Sequence, residues 1–129
     1  MDRADDIWNR ATRGAGRGSR EGDVALAGAL LFHGMAMNGG VLHAYETLGA
    51  TELQRARDGF AWLALPDVAA FIEETAQAIA GLDWDDDEAG DAFEASTEQA
   101  YATLIPDDAA LEAAFRDRLA EKPKAFAPS

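Results

Sequence analysis

The sequence lacks cysteine, has few β-branched residues and contains no long uninterrupted apolar run. The absence of cysteine excludes disulfides, thiol catalysis and cysteine–zinc sites. Few β-branched residues beside abundant alanine favour helices over strands. The longest apolar stretch, Val24 to Met37, has 14 residues and includes His33, which is too short to cross a bilayer. The first ten residues are charged and lack the apolar core of a signal peptide, so we expect a cytoplasmic protein without a membrane partner.

Basic residues are few and unevenly placed in this 129-residue chain of formal net charge −13. Nine acidic and seven basic residues give residues 1–70 a net charge of −2, whereas fifteen acidic and four basic residues give residues 71–129 a net charge of −11. Thirteen carboxylates occur from Glu73 to Glu112 without one Lys or Arg. Such a field repels nucleic acid and acidic membranes and attracts cations or basic proteins. A salt-adapted surface would spread its acid evenly, so the local charge indicates a local role.

The spacing of apolar residues predicts an all-α fold, a single compact domain of about seven short helices. Residues 1–22 are predicted to form an N-terminal helix and a Gly/Arg-rich linker, residues 23–121 the helical domain, and residues 122–129 a flexible tail. Three helices are predicted in the first half of the domain: from an N-cap at Asp23 to Met37, over Val41–Leu48, and from a capping box at Thr51–Gln54 to Leu65. Three more are predicted in the second half: from Pro66 to Gly81, from the acidic residues that follow Gly81 to Leu104, and from Pro106 onward.

The sequence offers little material for catalysis. His33 and His43 are the only histidines. His43 shares a helix face with Glu46, which is a poor set of metal ligands, and lone histidines on apolar helices are usually packed and hydrogen-bonded. The glycine-rich stretch RGAGRGSREG lacks the Gly-Lys-Ser/Thr ending of a phosphate loop, and no serine elbow occurs. We predict a protein that is not an enzyme and uses no cofactor or metal.

The stretch GLDWDDDEAGDAFE, residues 81–94, contains seven carboxylates and no basic residue. In a calcium loop Asp83, Asp85, Asp87, Asp91 and Glu94 would take positions 1, 3, 5, 9 and 12, but a glutamate stands where the tight turn needs glycine. In a solvated helix start, the carboxylates would be favoured by the helix macrodipole. The macrodipole accounts only for the carboxylates in the first turn of the helix. A third interpretation is that the acidic stretch forms a binding surface.

The spacing of Asp87, Asp91, Glu94 and Glu98 places all four on one helix face. Like charges at this spacing cost ~0.2–0.5 kcal/mol per pair, and no basic residue offsets that cost. We therefore predict that this region binds a basic protein, such as a DNA-binding protein or a toxin, with Trp84 as an apolar anchor. The predicted partner-binding residues are Asp83, Trp84, Asp85, Asp86, Asp87, Glu88, Asp91, Glu94 and Glu98.

One helix alone is too dilute to imitate DNA. Four charges over the ~16 Å from Asp87 to Glu98 compare with one per ~3.4 Å on a DNA strand. A DNA-like surface would therefore need either a homodimer that pairs two such faces or further carboxylates from neighbouring helices. The candidates for such carboxylates are Glu73, Glu74, Asp107, Asp108 and Glu112.

The segment GALLFHGMAMNGGVLHAYETLGA, Gly28 to Ala50, combines an apolar helix, an Asn-Gly-Gly step and a Leu-Gly-Ala turn. In this it resembles a bacterial family of uncharacterised all-helical domains that includes an acidic DNA-mimic protein. The resemblance implies a helical fold and a non-enzymatic module that takes the place of duplex DNA on a DNA-binding protein. An immunity-type inhibitor of a basic toxin, and a structural domain with no charge-based partner, remain alternatives. The structural motif consists of Asn38, Gly39, Gly40 and Gly49, with Tyr45, Leu48 and Ala50 also matching.

Overall fold

The prediction of an all-α fold is confirmed by the computed structural model, which describes residues 2–14 and 20–128. Those residues contain helices and no strand, in one compact domain with a continuous apolar core. The α-helices are α1 (Arg3–Thr12), α2 (Glu21–Gly39), α3 (Val41–Thr47), α4 (Ala50–Trp62), α5 (Pro66–Gly81), α6 (Asp87–Leu104) and α7 (Asp108–Glu121), and a single 3-10 turn follows at Pro123–Ala125. No helix in the described ranges is long and apolar enough to cross a membrane.

Helices α2 and α4 form the centre of the domain, and glycines allow their backbones to come close. A Cβ atom on Gly28 would lie 2.7 Å from the carbonyl oxygen of Arg55, and one on Gly59 would overlap the carbonyl oxygen of Ala25. Beside this crossing, the rings of Phe32 and Phe60 meet edge to face with centroids 6.3 Å apart. The glycines thus allow the two backbones to approach closely, and the large aromatic rings fill the space beside the crossing.

Helix α2 begins at Glu21, so the predicted N-cap at Asp23 is wrong. Asp23 lies one turn inside the helix and is only 2% exposed. Its carboxylate accepts a hydrogen bond from the backbone N–H of Arg20 at 3.2 Å and forms an ion pair with Arg10. A buried carboxylate requires such partners, and its partner on α1 lies too far away in sequence for the local pattern to reveal it.

The break between α2 and α3 occurs at Gly40, the last residue of the Asn-Gly-Gly step, so α2 runs two residues beyond its predicted end at Met37. Asn38 and Gly39 are still helical, whereas Gly40 has φ 95° and ψ 163°. This conformation is accessible almost only to glycine. Another helix approaches closely at this point, since a Cβ atom on Gly40 would lie 2.8 Å from a carboxylate oxygen of Glu98.

Helix α4 starts earlier than predicted, and its capping group is different. Gly49 is the N-cap, and its N–H donates to the Glu52 carboxylate at 3.0 Å. The predicted capping box at Thr51–Gln54 is therefore wrong. The helix also ends at Trp62 rather than at Leu65.

The predicted flexible tail instead packs into the core. Phe126 is fully buried, with its ring centroid 5.6 Å from that of Trp62 and 5.5 Å from that of Phe115. Helix α1 also belongs to the core, because Ile7 is fully buried. The predicted division into linker, domain and tail therefore does not describe the packing, although residues 15–19 of the linker lie outside the described residues.

Candidate functional site

The turn between α5 and α6 uses two of its carboxylates to organise its own backbone. The Asp83 carboxylate accepts a hydrogen bond from the N–H of Asp85 at 3.0 Å. Asp86 is the N-cap of α6 and accepts from the N–H of Ala89 at 3.1 Å. Short acidic side chains suit both positions because they reach nearby backbone donors. Local structure therefore explains part of the acidic run.

Trp84 is held in place beside these carboxylates. Its indole N–H donates to the carbonyl oxygen of Ile79 at 3.1 Å, and its ring meets Phe93 edge to face with centroids 6.2 Å apart. The side chain nevertheless remains 48% exposed. A rigid, half-exposed indole of this kind offers apolar contact area at little cost in conformational entropy.

Seven carboxylates lie on the exposed turn that carries Trp84 and on the first two turns of α6. We name this set the acidic face. Each of its members is exposed, and none forms an ion pair within residues 2–14 and 20–128. Its members are Asp83, Asp85, Asp86, Asp87, Glu88, Asp91 and Glu94.

Glu98 does not belong to the acidic face, because its carboxylate is engaged within the fold, and its predicted role in partner binding stays a prediction. It is half-buried, and its carboxylate accepts a hydrogen bond from the backbone N–H of Val41. Val41 is the first residue of α3, and its N-cap, Gly40, has no side chain that could accept this hydrogen bond. An orphan donor at a helix start needs a partner, and α6 supplies it. A Gly-Gly step immediately before a helix was the one sequence signal of an external cap.

The carboxylates expected to enlarge the face mostly have partners of their own. Glu73 forms an ion pair with Arg57, and Glu112 lies 3.7 Å from Arg116. Asp108 lies 2.7 Å from His33. Helix α3 supplies a neighbour that the sequence did not indicate, because Glu46 and Glu94 line one groove. Which helices share a groove is a tertiary property, so no local pattern revealed Glu46.

His33 occupies the interior and joins three helices. It is 3% exposed, its Nδ1 lies 2.7 Å from the Tyr101 hydroxyl, and its Nε2 lies 2.7 Å from the Asp108 carboxylate. Burial raises the pKa of the Tyr101 phenol, and the nearby Asp108 charge raises it further. The phenol therefore keeps its proton and can donate it to Nδ1, while Nε2–H donates to Asp108. Both ring nitrogens are thus engaged within the fold.

The acidic run has the geometry of a helix start, not of a calcium loop. Residues from Asp87 onward are helical, so the last ligands of the predicted loop follow the helix surface and do not enclose an ion. In the described part of the chain, no three His, Cys, Asp or Glu side chains are placed to hold one metal ion.

No family model, curated protein or solved structure matches this chain. The resemblance carried by Asn38, Gly39, Gly40 and Gly49 therefore stays a prediction. Within that motif Gly40 has a steric reason to be glycine, whereas Gly49 has φ −79° and room for a Cβ atom, whose nearest neighbour would be a Glu52 carboxylate oxygen at 3.8 Å. The functional argument consequently depends on the acidic face itself.

Proposed function

We propose that this protein is a non-enzymatic acidic protein-binding module whose acidic face occupies the basic surface of a DNA-binding protein, as duplex DNA would. One observation supports the proposal above others. Seven exposed carboxylates without an intramolecular ion pair lie on the α5–α6 turn and the start of α6, and the same turn carries a half-exposed tryptophan that is fixed by its own hydrogen bond.

The turn itself does not account for all seven carboxylates. Asp83 and Asp86 bind backbone N–H groups, but the side chains of the other five have no hydrogen-bond partner in the described residues. Along α6, Asp87, Asp91 and Glu94 repel one another at a cost of ~0.2–0.5 kcal/mol per pair. The positive charges of a basic partner would attract these carboxylates and offset their mutual repulsion, so the arrangement favours binding of such a partner.

The size of the face fits a small basic surface. Asp87 to Glu94 spans roughly 10 Å of helix, and the turn and Glu46 extend the charge on either side. Electrostatic complementarity of this kind accelerates association and makes it sensitive to salt. Trp84 would serve as the desolvated anchor at the centre, the role that tryptophan commonly has in interfaces.

The test is a pull-down from host lysate with the wild type and two triple variants. The first variant carries Asp87→Asn, Asp91→Asn and Glu94→Gln, and retains Glu98 because it caps α3. The control neutralises three exposed carboxylates on other helices, namely Asp58→Asn, Asp67→Asn and Asp117→Asn. Each protein is washed at low and high salt, with and without competing duplex DNA.

We expect a basic DNA-binding protein of the cytoplasm to be retained by the wild type and the control, lost with the first variant, and displaced by DNA. A basic partner that is indifferent to DNA would indicate an immunity-type inhibitor instead. If all three proteins retain the same partners, the acidic face is only a solvated surface and the proposal is wrong.

A further inference from the structure

Residues 123–128 lie in a groove between α1, the start of α2, and α7. The guanidinium groups of Arg3, Arg10 and Arg20 all donate to main-chain carbonyl oxygens of this segment. The hydrogen bonds are Arg3 to Pro123 at 3.0 Å, Arg3 to Phe126 at 3.1 Å, Arg20 to Lys124 at 3.1 Å, Arg10 to Ala127 at 3.2 Å and Arg10 to Pro128 at 3.1 Å.

The buried carboxylate of Asp23 completes the set by accepting a main-chain N–H. One of its oxygens accepts from the N–H of Ala127 at 2.8 Å, and the other pairs with Arg10. The groove therefore presents donors to carbonyl oxygens and an acceptor to an N–H. These are the groups that any extended peptide carries.

A single aromatic pocket adds side-chain recognition. The ring of Phe126 is fully buried against Trp62 and Phe115. Gly22 forms part of the pocket wall, because a Cβ atom there would come within 2.7 Å of the Phe126 ring. The pocket thus accommodates one aromatic side chain at a fixed position relative to the arginines.

The walls of the groove are held together by contacts that do not involve the segment. Trp8 on α1 packs against Phe115 on α7 with ring centroids 5.9 Å apart, and Arg116 on α7 lies 2.9 Å from Asp5 on α1. The segment itself joins α7 through one residue, Lys122. One peptide can replace another when the groove is already formed and when it binds the peptide mainly through main-chain atoms. Both conditions hold here.

We propose that this groove is a peptide-binding site for a short segment with one aromatic side chain, and that residues 123–128 are its internal ligand, which the same segment supplied in trans replaces. The site is separate from the acidic face, which lies on the α5–α6 turn and α6, so either proposal can fail alone.

The test measures binding of a fluorescent peptide with the sequence EKPKAFAPS to the full chain. In the wild type, the internal segment competes at an effective concentration on the order of millimolar, so we expect weak binding. Phe126→Ala removes the internal anchor, and we expect this variant to bind the peptide at least about tenfold more tightly. A peptide with alanine in place of its phenylalanine should not bind either protein.

A second variant weakens the internal segment without emptying the core. Ala127→Pro removes the N–H that Asp23 accepts, while φ −115° and ψ 140° at Phe126 suit a residue before proline. We expect tighter peptide binding here too, by about tenfold, because a hydrogen bond to a charged group is lost from the competitor. Adding Arg10→Ala to Phe126→Ala should weaken binding of the peptide, whereas adding Arg55→Ala should not, because Arg55 makes no contact with the segment.

Two results would overturn the proposal. One is that neither variant binds the peptide more tightly than the wild type does, and that the wild type does not bind it at millimolar concentration. The other is that the phenylalanine and alanine peptides bind equally.

Discussion

Gly40 occupies a backbone conformation that places a steric limit on its side chain. Its φ of 95° is strained for any L-residue, and a Cβ atom would press against the carboxylate of Glu98. The residue therefore fixes both the angle between α2 and α3 and the access of Glu98 to the first N–H of α3.

We expect Gly40→Ala to lower the free energy of unfolding by ~1–3 kcal/mol, measured by urea denaturation. Gly34→Ala is the matched control, because Gly34 lies inside α2 with no atom near the position of a Cβ. That change should raise stability by ~0.5–1 kcal/mol. If Gly40→Ala is also neutral or stabilising, the α2–α3 junction does not require glycine.

The two buried tyrosines make the stability of the fold depend on pH in alkaline solution. Burial raises the pKa of both Tyr45 and Tyr101 well above the ordinary value of 10.0. Unfolded phenols lose their protons first, so the unfolded state binds fewer protons above pH 10 and stability falls as pH rises. The stabilising effect is complete below about pH 10 and is lost between there and the raised pKa of the folded protein.

We expect tyrosinate absorbance to appear only together with loss of the helical circular dichroism signal. The chain contains two tyrosines, so this absorbance reports on Tyr45 and Tyr101 alone. Tyrosinate formation near pH 10 with the helices intact would contradict the buried positions of both rings.

At the level of the helices, the sequence predicted several starts from signals that lie next to the helix. Pro66 at the start of α5 and the acidic run before α6 were predictable, because the signal and the helix are neighbours in sequence. Asp107 likewise caps α7 with its own side chain at 3.0 Å from the N–H of Ala110. The start of α3 at Val41 was also predicted, but its cap was not, since Glu98 lies on α6.

The cap supplied by Glu98 gives a test of that long-range contact. We expect Glu98→Ala to lower the free energy of unfolding by ~1–3 kcal/mol, because a hydrogen bond to a charged group is lost and the N–H of Val41 is left without a partner. Glu94→Ala on the same face should instead raise it by ~0.4–1.0 kcal/mol, because two repulsive spacings on α6 are removed. Equal effects in chemical denaturation would mean that Glu98 does not cap α3.

The end of α4 has an alanine where glycine is preferred. Ala64 has φ 63°, the N–H of Leu65 donates to the carbonyl of Phe60 at 2.9 Å, and the N–H of Ala64 donates to Ala61 at 3.1 Å. These are the two hydrogen bonds of a Schellman motif, whose left-handed residue is usually glycine.

We expect Ala64→Gly to raise the free energy of unfolding by ~0.5–1 kcal/mol, because relief of left-handed strain exceeds the added chain entropy. Ala61→Gly, one turn earlier within α4, should lower it by ~1 kcal/mol. Thermal denaturation of the two variants should therefore shift in opposite directions, and a shift in the same direction would rule out the motif.

For the whole molecule, the uneven charge was readable from the sequence but the pairing of charges was not. Glu73 and Glu112 look as free as Asp91 in the sequence, yet each has an arginine partner. Those partners lie on another helix or one turn away, and only the fold brings them into reach. The acidic face consequently holds only seven of the thirteen carboxylates that occur from Glu73 to Glu112.

Self-repulsion of the acidic face should be measurable in the isolated protein. We expect Asp91→Asn with Glu94→Gln to raise the free energy of unfolding by ~0.6–1.5 kcal/mol at low ionic strength, because three repulsive spacings on α6 are removed. The gain should shrink as salt is added. The control pair Asp58→Asn and Asp117→Asn should show a smaller gain. A loss of stability in the first variant would mean that these carboxylates stabilise the fold rather than destabilise it.

The path of residues 123–128 along α1 also determines how the chain could be circularly permuted. Arg3 contacts Pro123 and Arg10 contacts Pro128, so the segment runs parallel to α1. Residue 128 therefore lies beside Arg10, roughly 10–12 Å along the helix from residue 3. A linker of roughly four or five residues could cover that distance. A circular permutant opened at the exposed turn around Asp85 would then keep every helix and tether the segment at both ends.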